Sequence, residues 1–466
     1  MLRCLMMCAL AFAVAAERPA AAERPAAASA SEAIRLGEVR GDTLVVALPR
    51  LIDAALERNE MLLASGAMVA AAQARAAGAW SGMLPRVSLS EFFLRSDDPL
   101  MAFGFKLNNR DAQPADFAPN ALNDPGEANN WVTRLQVMQP IFNGGMAWYG
   151  KAAARAAAAA ARFDHARARE TVVLQAVQIY EGLILGLSYQ DVMTAAIASA
   201  EAHARQARSL LDAEMATEAD LLQAEVFLSS LRQQLINVQN QVATAGEMIR
   251  LLTAIETPLV LIAERRPVLP APATEAVRAA VAQRSDLQAR RLEAEAAAKM
   301  VGVARGAMLP HVNLSLERNY YSQDSIFGND ATSWNLGVYA TWDVFKGLAN
   351  IAELRQARAQ RRAAEHRYQF AERQARHETI QARRDVEAAG ARIEVAESAV
   401  GAARASLRIV TNQYREGLAS MVDLLDVQAA AIKSEGDLVQ ARHDYRIAQA
   451  RLAYTAGRDA TQGGIQ

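Results

Sequence analysis

Cysteine is almost missing. The 466 residues contain two, Cys4 and Cys8, both at the extreme N-terminus. Arg3, the apolar run from Leu5 to Ala16 and the small residues Ala13, Ala15 and Ala16 read as a secretory signal. Cleavage is expected near Ala16, with Ala22 and Ala30 as alternatives because Ala16-Glu-Arg-Pro-Ala-Ala is immediately repeated. An uncleaved anchor is the competing reading of the same run. A mature chain cut in this region has no disulfide and no thiol chemistry, and no cysteine follows the run to carry a lipid. Net charge is also missing: the formal value of -1 gives no handle for nucleic acid. Beyond about residue 20 there is no uninterrupted apolar run long enough for a transmembrane helix. No Gly-rich phosphate loop, nucleophile elbow or Cys cluster occurs, so nothing supports an enzyme or a bound cofactor. His366 and His377 lie on one helical pattern, which solvated helix positions explain better than a metal site.

Aromatic residues make up 6% of the chain, while alanine and mixed-sign charge abound. That composition suits long helices. Leu424, Ala431, Leu438, Tyr445 and Leu452 recur every seven residues, with Val427, Ser434, Ala441, Ala448 and Thr455 beside them. This is a coiled-coil seam whose second row is small. The same seam occurs earlier, at Leu221, Leu228, Leu235, Val242 and Ile249.

The chain is therefore duplicated. Trp131 to Phe142 matches Trp334 to Phe345, and Asp220-Leu221 matches Asp423-Leu424 at the same offset. Met83-Leu-Pro85 matches Met308-Leu-Pro310. The expected organisation is a signal and tail over 1–30, a first repeat over 31–256, a Pro-rich linker over 257–273 and a second repeat over 274–466. Each repeat should hold two strands, about 86–96 and 131–142, then 311–322 and 334–345. Helices follow at about 146–213 and 217–253, then 349–416 and 420–456. The first copy has the longer loop between its strands.

Val312, Leu314 and Leu316 alternate with Asn313, Ser315 and Glu317. Alternation on strands of ~10 residues fits a membrane barrel with a wet interior. A soluble sandwich strand alternates identically, but four strands among helices provide no second sheet to cover the apolar face. Four strands cannot close on themselves, and open edges are not tolerated in lipid. Two chains give a bore filled by side chains, so three or more are favoured. At ~1.5 Å per residue the long helices span roughly 100 Å, and each return helix roughly 55 Å.

With the duplication, the Leu-Pro-strand junctions, the Phe345-Lys-Gly347 turn and the stretch Tyr414…Gly417…Ser420…Asp423-Leu-Leu-Asp426 in hand, the chain resembles the TolC-type outer-membrane efflux (outer membrane factor) family. The resemblance implies a mainly α fold with a transmembrane β-barrel: a homotrimer whose twelve-stranded barrel continues into a coiled-coil α-helical periplasmic barrel. It implies an outer-membrane location and a passive channel in a tripartite efflux or type I secretion system. The implied partners are a periplasmic adaptor (membrane fusion protein), an inner-membrane pump of RND or ABC type and outer-membrane lipid. Asp423, Asp426, Asp220 and Tyr414 would lie at the periplasmic aperture. Gly417, Leu418, Ser420, Met215 and Thr217 would form adaptor-binding tips. Trp131 and Trp334 would sit at the membrane interface.

Two of these residues have a second reading. Ser420-x-x-Asp423 and Thr217-x-x-Asp220 are also capping boxes. Asp426 has no acidic counterpart, since Gln223 takes its place, and it is the better gate candidate. Ala419 stands where some family members carry an Arg that latches the tip, which implies a weaker closed state. Tyr414 and Asp220 could retain part of such a latch. The first tip lacks a glycine like Gly417. The alternative to a duct is a soluble periplasmic coiled-coil scaffold or adaptor.

Overall fold

The computed structural model describes residues 36–40, 43–256, 260–263 and 281–457. The expected signal segment, with both cysteines, lies outside these residues.

Strands β1 (Gly37–Arg40) and β2 (Thr43–Val46) precede α1 (Leu48–Arg58) and α2 (Glu60–Gly78). Pro49 in the first turn of α1 costs no helical hydrogen bond, because that N–H has no intrahelical partner anyway. Asn59 separates the two helices and its side chain accepts from the Leu62 N–H, capping α2. Strand β3 (Arg86–Ser96) follows the Leu84-Pro85 stop. Helix α3 (Pro99–Asn108) lies in the connection to β4 (Ala128–Asn143). Gly144 and Gly145, both at positive φ, turn the chain into α4 (Met146–Asp212), and α5 (Glu218–Thr253) returns antiparallel to it.

The second repeat supplies α6 (Ser285–Gly306), β6 (His311–Ser322), β7 (Ala331–Thr341), α7 (Ala349–Arg415) and α8 (Met421–Thr455). Helix α6 packs along both α4 and α7, as α2 packs along α4. Each rod is therefore two helices wide: a long helix faces a short Ala-rich helix near the strands and a return helix farther away.

The heptad seams are buried in part, with Leu228, Leu235 and Val242 on α5 and Leu438 and Tyr445 on α8 only half-buried. Leu221, Ala224, Leu231, Ile249 and Leu252 are buried on α5, and Leu424, Ala431, Ala441, Ala448 and Leu452 on α8. The largest core forms around Tyr180, Leu183, Val172 and Val177 of α4, with Leu51 and Ile52 of α1 and Ile249 of α5. Helix α4 contains one stretch apolar enough on average to cross a membrane, although half of it is buried inside the fold. Its charged residues are spaced apart, so counting uninterrupted runs did not find it.

Four strands form one antiparallel sheet in the order β3-β4-β6-β7, so β4 and β6 join the repeats edge to edge. β7 ends at Thr341, short of the expected Phe345. Thr341 pairs with His311, the first residue of β6, and Pro310 before it has no N–H to offer. Residues 342–345 therefore lose their neighbour. The segment expected to be a linker holds strand β5 (Val260–Ala263), which pairs in parallel with β2. Val260-Leu-Ile-Ala263 has the apolar run a strand needs, but its surrounding prolines concealed it.

Candidate functional site

The sheet has two chemically distinct faces. Register places Val87 opposite Val137, Leu89 opposite Leu135, Leu316 opposite Leu336 and Leu314 opposite Val338 on one face. The other face carries Ser88 opposite Gln136, Gln136 opposite Glu317, and Arg134 opposite Asn319. Gln136 donates to Glu317 at 2.7 Å and Arg134 to Asn319 at 3.1 Å, a polar network across the strands. The apolar face is open to the surroundings: Val87, Leu89, Leu316, Leu336 and Val338 are all exposed. No second sheet covers it among the described residues.

Trp131 and Trp334 each occupy the fourth position of their strand, at the end far from the long helices. Their register partners, Ser322 and Arg318, assign both to the apolar face. Trp131 packs on Phe93 with ring centroids 4.7 Å apart, and Trp334 is 63% exposed. Three further tryptophans, Trp80, Trp148 and Trp342, are exposed at the opposite ends of the strands. Trp342 ends the alternating row Leu336, Val338, Ala340, but Trp80 and Trp148 lie outside any strand pattern and carried no sequence signal. Trp342 Nε1 donates to the Met308 carbonyl at 3.1 Å, which ties the end of β7 to the turn before β6. From Trp334 to Trp342 the chain covers roughly 26 Å along the strand, or roughly 20 Å of height at ~40° tilt, most of the ~25 Å apolar band of outer-membrane barrels.

At the far end of the helices the two tips follow the same backbone path. The Gly417 N–H bonds to the Tyr414 carbonyl and the Leu418 N–H to the Gln413 carbonyl. The Glu214 N–H bonds to the Leu211 carbonyl and the Met215 N–H to the Leu210 carbonyl. Both are Schellman turns. The first tip manages without glycine because Glu214 itself takes a left-handed φ of 60°, against 73° at Gly417. Both capping boxes form. The Ser420 N–H and hydroxyl donate to the Asp423 carboxylate at 3.0 and 2.6 Å, and the Thr217 pair donates to Asp220 at 2.9 and 2.7 Å. The Ser420 hydroxyl bond, then its N–H bond, holds the Asp423 carboxyl below the usual range. Met215 and Leu418 are strongly exposed.

Tyr414 is buried, in a cluster with Ala207, Leu221, Ala224, Met421 and Leu424 that joins the two hairpins. Its hydroxyl has no hydrogen-bond partner. Burial, then the nearby Asp220 charge, raises its pKa. Tyr414 therefore makes no hydrogen bond to Asp220, whose Oδ2 accepts from the Thr217 N–H and hydroxyl. Ala419 packs at the margin of this cluster. Asp426 is exposed, one turn beyond Asp423. Deeper in the tip, Ser199 donates to Gln428 at 3.3 Å and lies 3.3 Å from His203 Nε2. This half-buried polar contact between α4 and α8 had no sequence signal. Among the described residues no group of three or more His, Cys, Asp or Glu could hold a metal.

The end-to-end arrangement of belt, rod and tip has close parallels. A chain from Brucella suis, the outer membrane efflux protein BepC, is 26% identical over 340 residues, covering 71% of this chain and 73% of its own length. The alkaline protease secretion protein AprF of Pseudomonas aeruginosa is 23% identical over 338 residues, covering 71% and 70%. The outer membrane protein VceC of Vibrio cholerae superposes with a TM-score of 0.75 at 22% identity, covering 88% of this chain and 96% of that one. A sequence model of the outer membrane efflux protein family matches residues 51–254 and 276–458, one stretch per repeat. The chain belongs to the outer membrane efflux protein family, whose members are passive outer-membrane channels extending into the periplasm.

Proposed function

We propose that three copies of this chain assemble into one duct, with the four-stranded sheets closing a twelve-stranded barrel and the rods forming a helical tunnel below it. The single observation that carries this reading is the sheet's open apolar face and its two unpaired outer edges, β3 and β7. Neither is stable in lipid until neighbouring copies pair those edges. The wet face then lines the bore, and the two groups of tryptophans stand at the two water boundaries. A soluble scaffold would leave the exposed Val87, Leu89, Leu336 and Val338 without cover, and family membership sets that alternative aside.

The tips then take the periplasmic end. Met215 and Leu418 offer apolar contacts to a periplasmic adaptor, on turns fixed by Gly417, Thr217 and Ser420. An inner-membrane pump, of RND or ABC type, would deliver cargo through that junction. BepC is named for efflux and AprF for protease secretion, so both kinds of traffic are compatible with this architecture. Asp220 and Asp423 serve first as caps. Asp426, free of the cap and unique to the second repeat, supplies the acidic ring of the aperture.

Membrane fractionation with a heat-modifiable oligomer assay tests the assembly. A trimer that resists detergent and collapses on boiling is expected in the outer-membrane fraction. A soluble monomer would end the proposal.

A further inference from the structure

We propose that the insertion between β3 and β4 is a lid on the outer mouth of the bore, completed only when three copies meet. This rests on the trimeric duct proposed above. The first repeat joins its strands through residues 97–127, where the second uses only 323–330. The longer connection folds back against the sheet. Asp98 caps α3 by accepting from the Met101 N–H, and the helix packs against β4 and β7, crossing the intervening β6.

It lies on the wet face. Asn109 Nδ2 donates to Asn130 Oδ1 at 3.0 Å, and Asn130 belongs to the same face as Val132, Arg134 and Gln136. Asn130, Val132, Tyr321 and Ala331 are buried at this end of the sheet. Arg110 donates to the Thr332 carbonyl at 3.2 Å, fastening the helix end to β7. Two contacts brace the segment internally: Lys106 with Asp116 at 2.6 Å, and Phe103 edge-on to Phe117 at 5.3 Å. This is an anchored element rather than a loose loop.

Its other side is unpartnered and apolar. Ala102, Phe105 and Asn109 face the wall, and at 100° per residue Leu100 and Leu107 project from the opposite side. Leu100 is 83% exposed and Leu107 49%. Away from the wall of a closed barrel there is only the bore, and its threefold axis brings two more copies of the same surface. A twelve-stranded barrel with ~4.8 Å strand spacing and ~40° tilt is roughly 24 Å across between backbones. Inward side chains take about 5 Å of that on each side, so three ~10 Å helices cannot lie abreast within the bore, but a helix packed about 10 Å in from the wall stands close to the threefold axis. Leu100 and Leu107 of each copy therefore meet those of the others at the mouth.

Two measurements on the full-length chain with Cys4 and Cys8 replaced by Ser test this. In the first, Leu107→Cys is oxidised with copper phenanthroline in native outer membranes; chain-to-chain dimers on non-reducing gels are expected. In the second, Ser88→Cys, on the bore wall below the lid, is labelled on intact cells with a bulky maleimide-polyethylene glycol. Replacing 97–127 by the sequence of 323–330 should speed that labelling at least roughly tenfold, since a lid state open about a tenth of the time or less is removed. An intact heat-modifiable trimer with no Leu107→Cys dimers, or with unchanged Ser88→Cys labelling, overturns the lid. Absence of the trimer overturns the assembly beneath it instead. Should the loop-swapped chain fail to assemble, the Leu107→Cys crosslink alone decides.

Discussion

At the tips, residues 210–223 and 413–426 follow one hydrogen-bonded path but present different side chains: Glu214 against Gly417, Met215 against Leu418, Leu211 against Tyr414, and Gln223 against Asp426. At the strand ends the contrast is larger, an anchored helix in one repeat and a short turn in the other. Near the middle both repeats tie the start of their Ala-rich helix to the end of their return helix. Asn59 donates to the Leu252 carbonyl, and Arg284 donates to the matching Thr455 carbonyl, each at 3.2 Å. At the tips and in the middle the two halves keep a common backbone and differ in side chains, whereas at the strand ends the backbone itself differs.

The middle should show the largest difference. Arg284 is 3% exposed and also bridges Asp286 at 2.8 Å and Glu378 at 2.9 Å, so its removal strands two carboxylates. Arg284→Ala is expected to cost about 3 kcal/mol, toward the low end for a broken buried pair because both acids keep some solvent. Asn59→Ala, which removes a cap, should cost about 1 kcal/mol. Guanidinium unfolding of the purified protein checks both, and equal losses would break the asymmetry.

The tips should respond with opposite signs. Glu214 holds a left-handed φ against its Cβ, whereas Gly417 holds one freely. Glu214→Gly should stabilise and Gly417→Glu destabilise, by about 1 kcal/mol each. Thermal unfolding measures the pair, and two losses would show that the strain argument fails.

A smaller effect concerns pH. The Asp423 carboxyl is held below its ordinary 3.8 by Ser420, so the stability it lends is present above that value. It is lost as pH falls through the depressed folded value. Ser420→Ala should therefore raise amide exchange of residues 421–424, corrected for intrinsic rate, more at neutral pH than in acid below the depressed folded value. A difference that does not vary with pH would remove the carboxylate from the cap.

Much of this was legible in the sequence, because strong periodicities leave few alternatives. The heptad seams set the return helices, the alternating strands set the two faces, and Leu-Pro stops set where strands begin. What escaped was set by tertiary context. β5 is four residues long and exists through its pairing with β2. β7 stops where β6 runs out. The lid helix carries a capping Asp98 and Pro99, yet an insertion rich in Asp, Asn, Pro and Gly reads as loop until its packing against β4 is known. The tip residues were found by analogy and by symmetry. The unpartnered Tyr414 hydroxyl could not be foreseen, since it is set by how the two hairpins pack against each other.

The claim that matters most is that shared tip residues build the turn while the unshared acid works in the aperture. Single-channel recording of the purified trimer in a planar bilayer, with divalent cations added on the periplasmic side, tests it directly. Asp426→Ala should weaken the block, while Gln223→Ala, at the matching position of the first tip, should leave it unchanged. Block that persists undiminished in Asp426→Ala would contradict the account.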